Sequence, residues 1–459
     1  MLAAMPRPSA TPHNQGETPI GDAPGAAPRD PVVRDRGDAC PGALRLHQAD
    51  DGNLARLRLP GGILTIRQVH ALATAAERYA DGHLTLTSRG NAELRGIAAP
   101  HATALAELLR LTGLMPSETH ERVRNIVASP LAGLDGRGHD GAHATARLRA
   151  LDALLCAQDW TTALSGRFLF ALDDGRGDVA GLGADVTLLA QERETVVVRV
   201  GASALRVAAS DAPRAALEAA RAFLEAAAGT GAWRVRDLPP DHAVDLASAL
   251  ARAGIPATPA PVPNGQQTTP APPPGIVASP DGTYALVVAP ALGRVSAARL
   301  RALPGPGGEV RITPWRGFVV PGFDGPGARA RLRELDDAGF TTRPDAPWAG
   351  VGACTGRPGC AKALADVRRD ALPGTGGLPV HWSGCERRCG HPHGDWVDVT
   401  ATAEGHYTVT VRGVRGVPDA PDAQEQQLPL GEGELADAVA RARGGRAQAY
   451  GTGTGTTTR

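Results

Sequence analysis

A proline-rich stretch from Pro256 to Pro274 splits the chain, and the same order of local patterns runs on either side of it. Two copies of one supersecondary unit leave few architectures that can close around a core. In the first half, Asn53-Leu54-Ala55-Arg56-Leu57-Arg58-Leu59-Pro60 alternates as a strand does. Past Gly61-Gly62, Thr65-Ile66-Arg67-Gln68 is a capping-box pattern. It predicts a helix with Ile66, Val69, Leu72, Ala73 and Ala76 on one face. A second strand, Leu84–Thr87, leads into Ser88-Arg89-Gly90-Asn91-Ala92-Glu93-Leu94-Arg95-Gly96-Ile97, and a helix from His101 to Leu111 ends at Gly113, a C-cap residue.

The second half repeats this order. Strand Tyr284–Val288 precedes a short helix from Ser296, and strand Glu309–Thr313 runs into Pro314-Trp315-Arg316-Gly317-Phe318-Val319-Val320. A helix from Ala328 to Asp337 then ends at Ala338-Gly339-Phe340. Each half therefore reads as strand, helix, strand–turn–strand, helix, strand, an α+β unit of ferredoxin-like type. The boundaries that follow are half-domains over 37–116 and 275–345, each trailed by an α/β segment, 117–255 and 346–445. Residues 1–36 read as a disordered tail, 256–274 as a linker and 446–459 as a flexible tail, because none has an apolar period.

Only the second α/β segment is rich in cysteine. Of six cysteines in the chain, Cys354 and Cys360 form one pair with five residues between them, and Cys385 and Cys389 another with three between. Both pairs lie in glycine-rich stretches, which can wrap a compact inorganic core and aim N–H groups at sulfide. Four thiolates are what a cubane iron–sulfur cluster requires. A structural zinc site uses shorter gaps on both sides, so the spacing favours the cluster. Disulfides are disfavoured, since a chain this long builds a core without staples.

Charge narrows the partners. Lys+Arg and Asp+Glu both number 48, and that balance argues against a general nucleic-acid binder. Lys362 is the sole lysine, so almost every cation is an arginine. No run of about 18 apolar residues is present and Met1-Leu2-Ala3-Ala4-Met5-Pro6-Arg7 lacks an apolar core, so the expectation is a soluble, cytoplasmic protein with no membrane partner.

On the C-x5-C…C-x3-C set and the repeat, the chain resembles the sulfite/nitrite reductase family over about residues 38–440. The resemblance implies a pseudo-twofold architecture with a [4Fe–4S] cluster on Cys354, Cys360, Cys385 and Cys389. Within that family it is similar to the cobalamin-pathway branch, the precorrin-3B synthases. The similarity rests on Ala39-Cys40-Pro41-Gly42, on Leu86 to Gly96 and on Thr313-Pro314-Trp315-Arg316-Gly317. That branch implies an O2-dependent monooxygenase, hydroxylating precorrin-3A and forming a γ-lactone in cobalamin biosynthesis. The alternative is a sirohaem-dependent sulfite or nitrite reductase, in which Cys389 would also ligate the sirohaem iron. The branch also implies a mononuclear non-haem iron.

Residue roles follow from the resemblance. Arg89 and Arg124 match arginines that reach tetrapyrrole and anion in the reductases. Arg167 stands where they have the first of two lysines separated by one residue, and Leu169 stands at the second. Leucine weakens a cationic cage for a small dianion, which favours the synthase branch. Precorrins carry many carboxylate arms, and guanidinium binds carboxylate bidentately at any physiological pH. Arg89, Arg95, Arg122, Arg124, Arg167 and Arg316, all at predicted strand ends or turns, are therefore the candidate catalytic and substrate-binding residues; each could instead be a solvated surface group. Iron that activates O2 commonly takes two histidines and a carboxylate, for which His381, His391, His393, Asp395 and Asp398 are at hand. The His391-Pro392-His393 stretch reads equally as a polar loop beside the cluster. Cys40 is a further thiol candidate, and Cys156 a plain buried thiol. No nicotinamide motif stands out, so an electron-donor protein or an NAD(P)H-linked reductase is implied.

Overall fold

A computed structural model of the chain describes residues 40–139, 141–192, 194–261, 271–392, 394–413, 428–429 and 433–444. The tails 1–36 and 446–459, Ala39, residues 262–270 of the proline-rich stretch and His393 lie outside them. The repeat is visible as four sheets, two of each kind.

The first antiparallel sheet runs in the order His47–Ala49, Gly52–Leu57, Ala92–Ile97, His83–Leu86 and then Arg294–Ser296, a strand from the other half of the chain. The second runs Gly275–Ala278, Tyr284–Pro290, Phe318–Phe323, Glu309–Ile312 and then Ile63–Thr65, again borrowed from across the linker. Phe340–Thr341 also pairs with Tyr284–Pro290. The halves are thus interlocked by an exchange of one short strand each. Glycine makes the crossings possible. Gly62, with φ 69°, lies so close to the Ile312 carbonyl that a Cβ would stand 2.0 Å from its oxygen. Gly293 repeats this, its Cβ position 2.6 Å from Arg316 Cδ.

The capping box forms as the sequence predicts: Thr65 accepts from Gln68 N–H, and the Gln68 side chain answers the Thr65 N–H. The helix it opens, Ile66–Tyr79, buries Val69, Leu72, Ala73 and Ala76, with Ile66 only half-buried. Leu64 and Val295, on the exchanged strands, are 1% and 0% exposed and join a core shared by both half-domains. Each such side chain contributes about 1.5–3 kcal/mol.

The two α/β segments match in topology. Ile126–Ala128, Phe170–Asp173 and Val186–Gln191 are parallel, then Thr195–Val200, Ser203–Ala208 and Thr258–Pro259 run antiparallel. Correspondingly, Val351–Ala353, Val380–Ser383 and Trp396–Ala403 are parallel, followed by His406–Arg412 and Leu428–Pro429. Among the described residues no helix is long and apolar enough to cross a membrane.

Candidate functional site

The carboxyl ends of parallel strands are where α/β sheets present ligands. Cys354 directly follows Val351–Ala353, and Cys385 lies two residues past Val380–Ser383. Cys354 N–H donates to the Trp382 carbonyl at 2.9 Å, and the loops beyond interlock through Leu364 N–H to Gly384 O at 2.7 Å. Gly384 N–H in turn donates to Cys354 Sγ at 3.2 Å. Cys354, Cys360 and Cys385 are half-buried, and Cys389 is exposed. Burial pushes the Cys354 thiol up, while N–H groups of Gly384 and Gly356 pull it back and the Cys389 and Cys385 thiols push it further. Cys389 is likewise raised by burial, opposed by Arg387, with Cys385 and Cys360 as neighbours. The four thiols therefore converge on one place.

Their spacing bears on the metal. Sulfurs around one tetrahedral zinc stand about 3.8 Å apart, given Zn–S near 2.3 Å. Among the described residues no three of the four cysteine sulfurs lie within 4.8 Å of one another. Four soft donors, with Cys354 met by the N–H groups of Gly384 and Gly356, suit a cubane cluster.

The second cysteine loop is pinned from three sides. Arg388, at φ 46°, donates to Asp398, which also accepts from Arg412 Nε at 2.6 Å and from Thr400 Oγ1 at 2.8 Å. His381 Nε2 donates to the Cys389 carbonyl at 3.0 Å, because that oxygen can only accept. Burial, then the Arg316 guanidinium, hold this imidazole down at about 3, so it is neutral. Arg316 itself, at φ 58°, donates to the Gly390 carbonyl. These bonds decide the fate of the expected iron ligands. Asp398 is taken up by two arginines and a threonine, His391 stacks on Trp396 at 5.1 Å, and His381 faces a carbonyl. Asp395 is half-buried nearby. No two-histidine-one-carboxylate set forms among the described residues, which leave out His393.

The arginines divide into two groups. Arg89 sits in the turn Thr87–Asn91, where Thr87 Oγ1 accepts the N–H of Arg89 at 3.3 Å and of Asn91 at 3.1 Å. Asn91 and Asn125 bond side chain to side chain at 2.9 Å, and Asn125 donates to the Phe168 carbonyl at 3.0 Å. This relay brings Arg89 to Arg167, whose carbonyl accepts from Arg89 Nη1 at 3.3 Å. Arg167 is exposed and lies 4.5 Å over the Trp233 ring. Burial, then Arg234 and Arg56, lower the Arg89 guanidinium to about 10. Arg58 was not singled out by its sequence. It is 4% exposed, donates Nη2 to the Gly166 carbonyl at 3.1 Å, and leaves Nε and Nη1 without a hydrogen-bond partner among the described residues. Burial and Arg56 lower it to about 9, while Cys40 opposes the shift. Cys40, Arg56, Arg58 and Arg89 thus neighbour one another, with Arg56 paired to Glu93 and Asp185 also near Arg89. The one available sequence signal is the alternation itself, which puts Arg56 and Arg58 opposite buried Leu57 and Leu59.

The other arginines are placed elsewhere. Arg124 makes a bidentate pair with Asp152, at 2.8 and 2.7 Å, and does not join Arg89. Arg122 is half-buried in the same loop. Arg95 pairs with Asp51 and reaches Gly359 beside Cys360, and Arg316 reaches Gly390 beside Cys389. Cys156 is half-buried at the end of its helix, rather than buried as expected, because that helix packs only one face.

Residues 47–111 match the nitrite/sulfite reductase ferredoxin-like half domain. Along 85% of its length the chain is 28% identical to a precorrin-3B synthase of Sinorhizobium sp, covering 86% of that protein. Over 84 residues it is 42% identical to a ferredoxin–nitrite reductase of Synechococcus elongatus, which is 18% of this chain and 16% of that enzyme. Its fold is similar to that of the Mycobacterium tuberculosis NirA protein, with a TM-score of 0.64 and 19% identity over 84% of this chain and 79% of that one. The chain is thus similar to precorrin-3B synthase along most of its length and, in its first half-domain, to the nitrite/sulfite reductases.

Beside these relatives, two positions stand out. Leu169 is 2% exposed and packs with Val127, Ala171 and Val179 against Trp315 of the opposite half, its N–H held by Asp185 at 2.8 Å. At the place that mirrors the cysteines, Ser129 N–H donates to the Leu172 carbonyl as Cys354 N–H does to Trp382. There Asp173, Asp174 and Asp178 gather instead, with Arg176 bound to Asp174 and Asp135 and with Asp173 accepting four backbone N–H groups.

Proposed function

We propose that this chain is an iron–sulfur oxidoreductase of the cobalamin pathway that hydroxylates precorrin-3A with O2 and forms a γ-lactone. The observation that carries the reading is its similarity to a precorrin-3B synthase along nearly the whole of both chains. The arginines of the first half support it. Arg58 keeps two nitrogens without a partner among the described residues, and Arg58 and Arg89 both carry their charge in a water-poor setting, which suits the carboxylate arms of a tetrapyrrole. A [4Fe–4S] cluster on Cys354, Cys360, Cys385 and Cys389 supplies single electrons when bound. One oxygen atom of O2 enters the substrate and the other leaves as water, with two electrons and two protons from an electron-donor protein or an NAD(P)H-linked reductase.

The second reading, a sirohaem-dependent sulfite or nitrite reductase, draws on the local identity to nitrite reductase. Burial of Leu169 in an apolar cluster speaks against the dense cationic cage that such an enzyme needs. One spectrum separates them. Anaerobically purified protein should show the broad absorbance of a cluster, and Cys360→Ser should lose it together with turnover. A sharp Soret band with nitrite or sulfite reduction would replace the first reading by the second, and cluster-free turnover by Cys360→Ser would defeat both.

A further inference from the structure

The loop that carries Cys360 is gripped from the far end of the chain. Arg95, on strand Ala92–Ile97, is 6% exposed. It donates Nε and Nη2 to the two carboxylate oxygens of Asp51, each at 2.9 Å, and Nη2 also to the Gly359 carbonyl at 2.6 Å. Asp50, next to Asp51, accepts the Ala361 N–H. The peptide groups on both sides of Cys360 are therefore held by the first half-domain, 264 positions away for the Arg95 contact. The fit is close. A Cβ on residue 359 would stand 2.5 Å from Asp51 Oδ2 and 2.8 Å from Thr355 Cγ2, so a larger residue before Cys360 would displace the carboxylate that Arg95 holds. Within the segment, Ala363 N–H to Cys360 O and Arg357 N–H to Ala365 O shape the loop, and Leu364 N–H to Gly384 O ties its far side to the second cysteine loop.

We propose that Arg95 and Asp51 are positioning residues for the metal cluster, holding Cys360 in place and setting the reduction potential through their opposed charges. This rests on the reading of the four thiols as ligands of a cubane cluster. It gives Arg95 a different task from substrate anchoring, for which its guanidinium is already occupied on two of three nitrogens. The charge argument has a sign. Reduction adds a negative charge to the cluster, and a fixed guanidinium one peptide from a ligand favours it, more so away from bulk water. Removing Arg95 leaves Asp50 and Asp51 unbalanced beside Cys360 and disfavours reduction. Removing the Asp51 charge does the reverse.

The test is a potentiometric titration of the reduced-cluster electron paramagnetic resonance signal in full-length protein reconstituted anaerobically. Arg95→Met should shift the midpoint to more negative potential and Asp51→Asn to more positive potential. Arg95→Lys, which keeps the charge and loses the fork, should stay near the parent midpoint yet release iron to a chelator faster. If Arg95→Met does not fold, the upward shift in Asp51→Asn still decides the question. Unshifted midpoints and parent-like iron release in these variants would overturn the proposal. So would a fall in substrate affinity as the sole effect of Arg95→Met, which would make Arg95 a substrate anchor. A parent protein that assembles no cubane signal would remove the cluster reading and this inference together, whereas a normal parent signal with unshifted variants removes the inference alone.

Discussion

Arg58 condenses the electrostatic case for an anionic ligand. A buried guanidinium with two unpartnered nitrogens destabilises the free protein, and replacing such a charge by an apolar side chain of similar length is often stabilising by about 1–4 kcal/mol. Arg58→Met should therefore raise the urea midpoint of the ligand-free protein and weaken polycarboxylate binding about tenfold or more, near 1.4 kcal/mol. A lower urea midpoint with unchanged binding would show a purely structural role. The pH dependence has a definite sign. Arg58 is lowered to about 9, so below that pH it is charged in the folded protein and the destabilisation is present in full. As pH rises through about 9 the folded state sheds this proton before the unfolded state does, which relieves the destabilisation and removes the charge that holds an anion. Polycarboxylate affinity should be level near neutrality and fall above about pH 9. At this scale the cysteines were legible in the sequence, because thiol spacing is local. Arg58 and the Arg95 clamp were not, since burial and a partner 264 positions away leave no local mark.

Among the elements, the capped helix Ile66–Tyr79 and the strands around it could be read because a capping box and a period of two are short-range signals. Ile63–Thr65 and Arg294–Ser296 could not: each is three residues long and pairs only across the linker. Their crossings give a sharp test. Gly62 and Gly82 both have positive φ, but a Cβ at Gly62 meets the Ile312 carbonyl while one at Gly82 meets nothing within 4 Å. Gly82→Ala should lose only the left-handed strain, about 1–2 kcal/mol. Gly62→Ala should lose that and at least about 2 kcal/mol more from displaced backbone, read as a difference in urea midpoints. Equal losses would mean that the exchanged strand is not held so tightly. The mirrored α/β segments show what duplication allowed, one strand end specialised in thiols and its counterpart in an aspartate–arginine network.

The whole molecule is a pair of halves that cannot be separated cleanly. Each antiparallel sheet is closed by a strand from the other half, Arg311 donates to the carbonyls of Pro130 and Ala132, and Trp315 packs by Leu169. Expressed as two fragments cut between residues 262 and 270, the halves should be poorly folded alone and regain the parent circular dichroism when co-expressed; two independently cooperative fragments would contradict the interlock. The same interlock puts Arg95 of the first half against the loop of Cys360 in the second. The proposed reading as an oxygenase of a carboxylate-rich macrocycle rests on the similarity to a precorrin-3B synthase. The most direct check is mass spectrometry of precorrin-3A turned over anaerobically purified, cluster-loaded protein with a reductant and isotopically labelled O2. A product carrying one labelled oxygen atom is the result expected, and an unlabelled substrate recovered beside sirohaem-dependent reduction of nitrite or sulfite would contradict it.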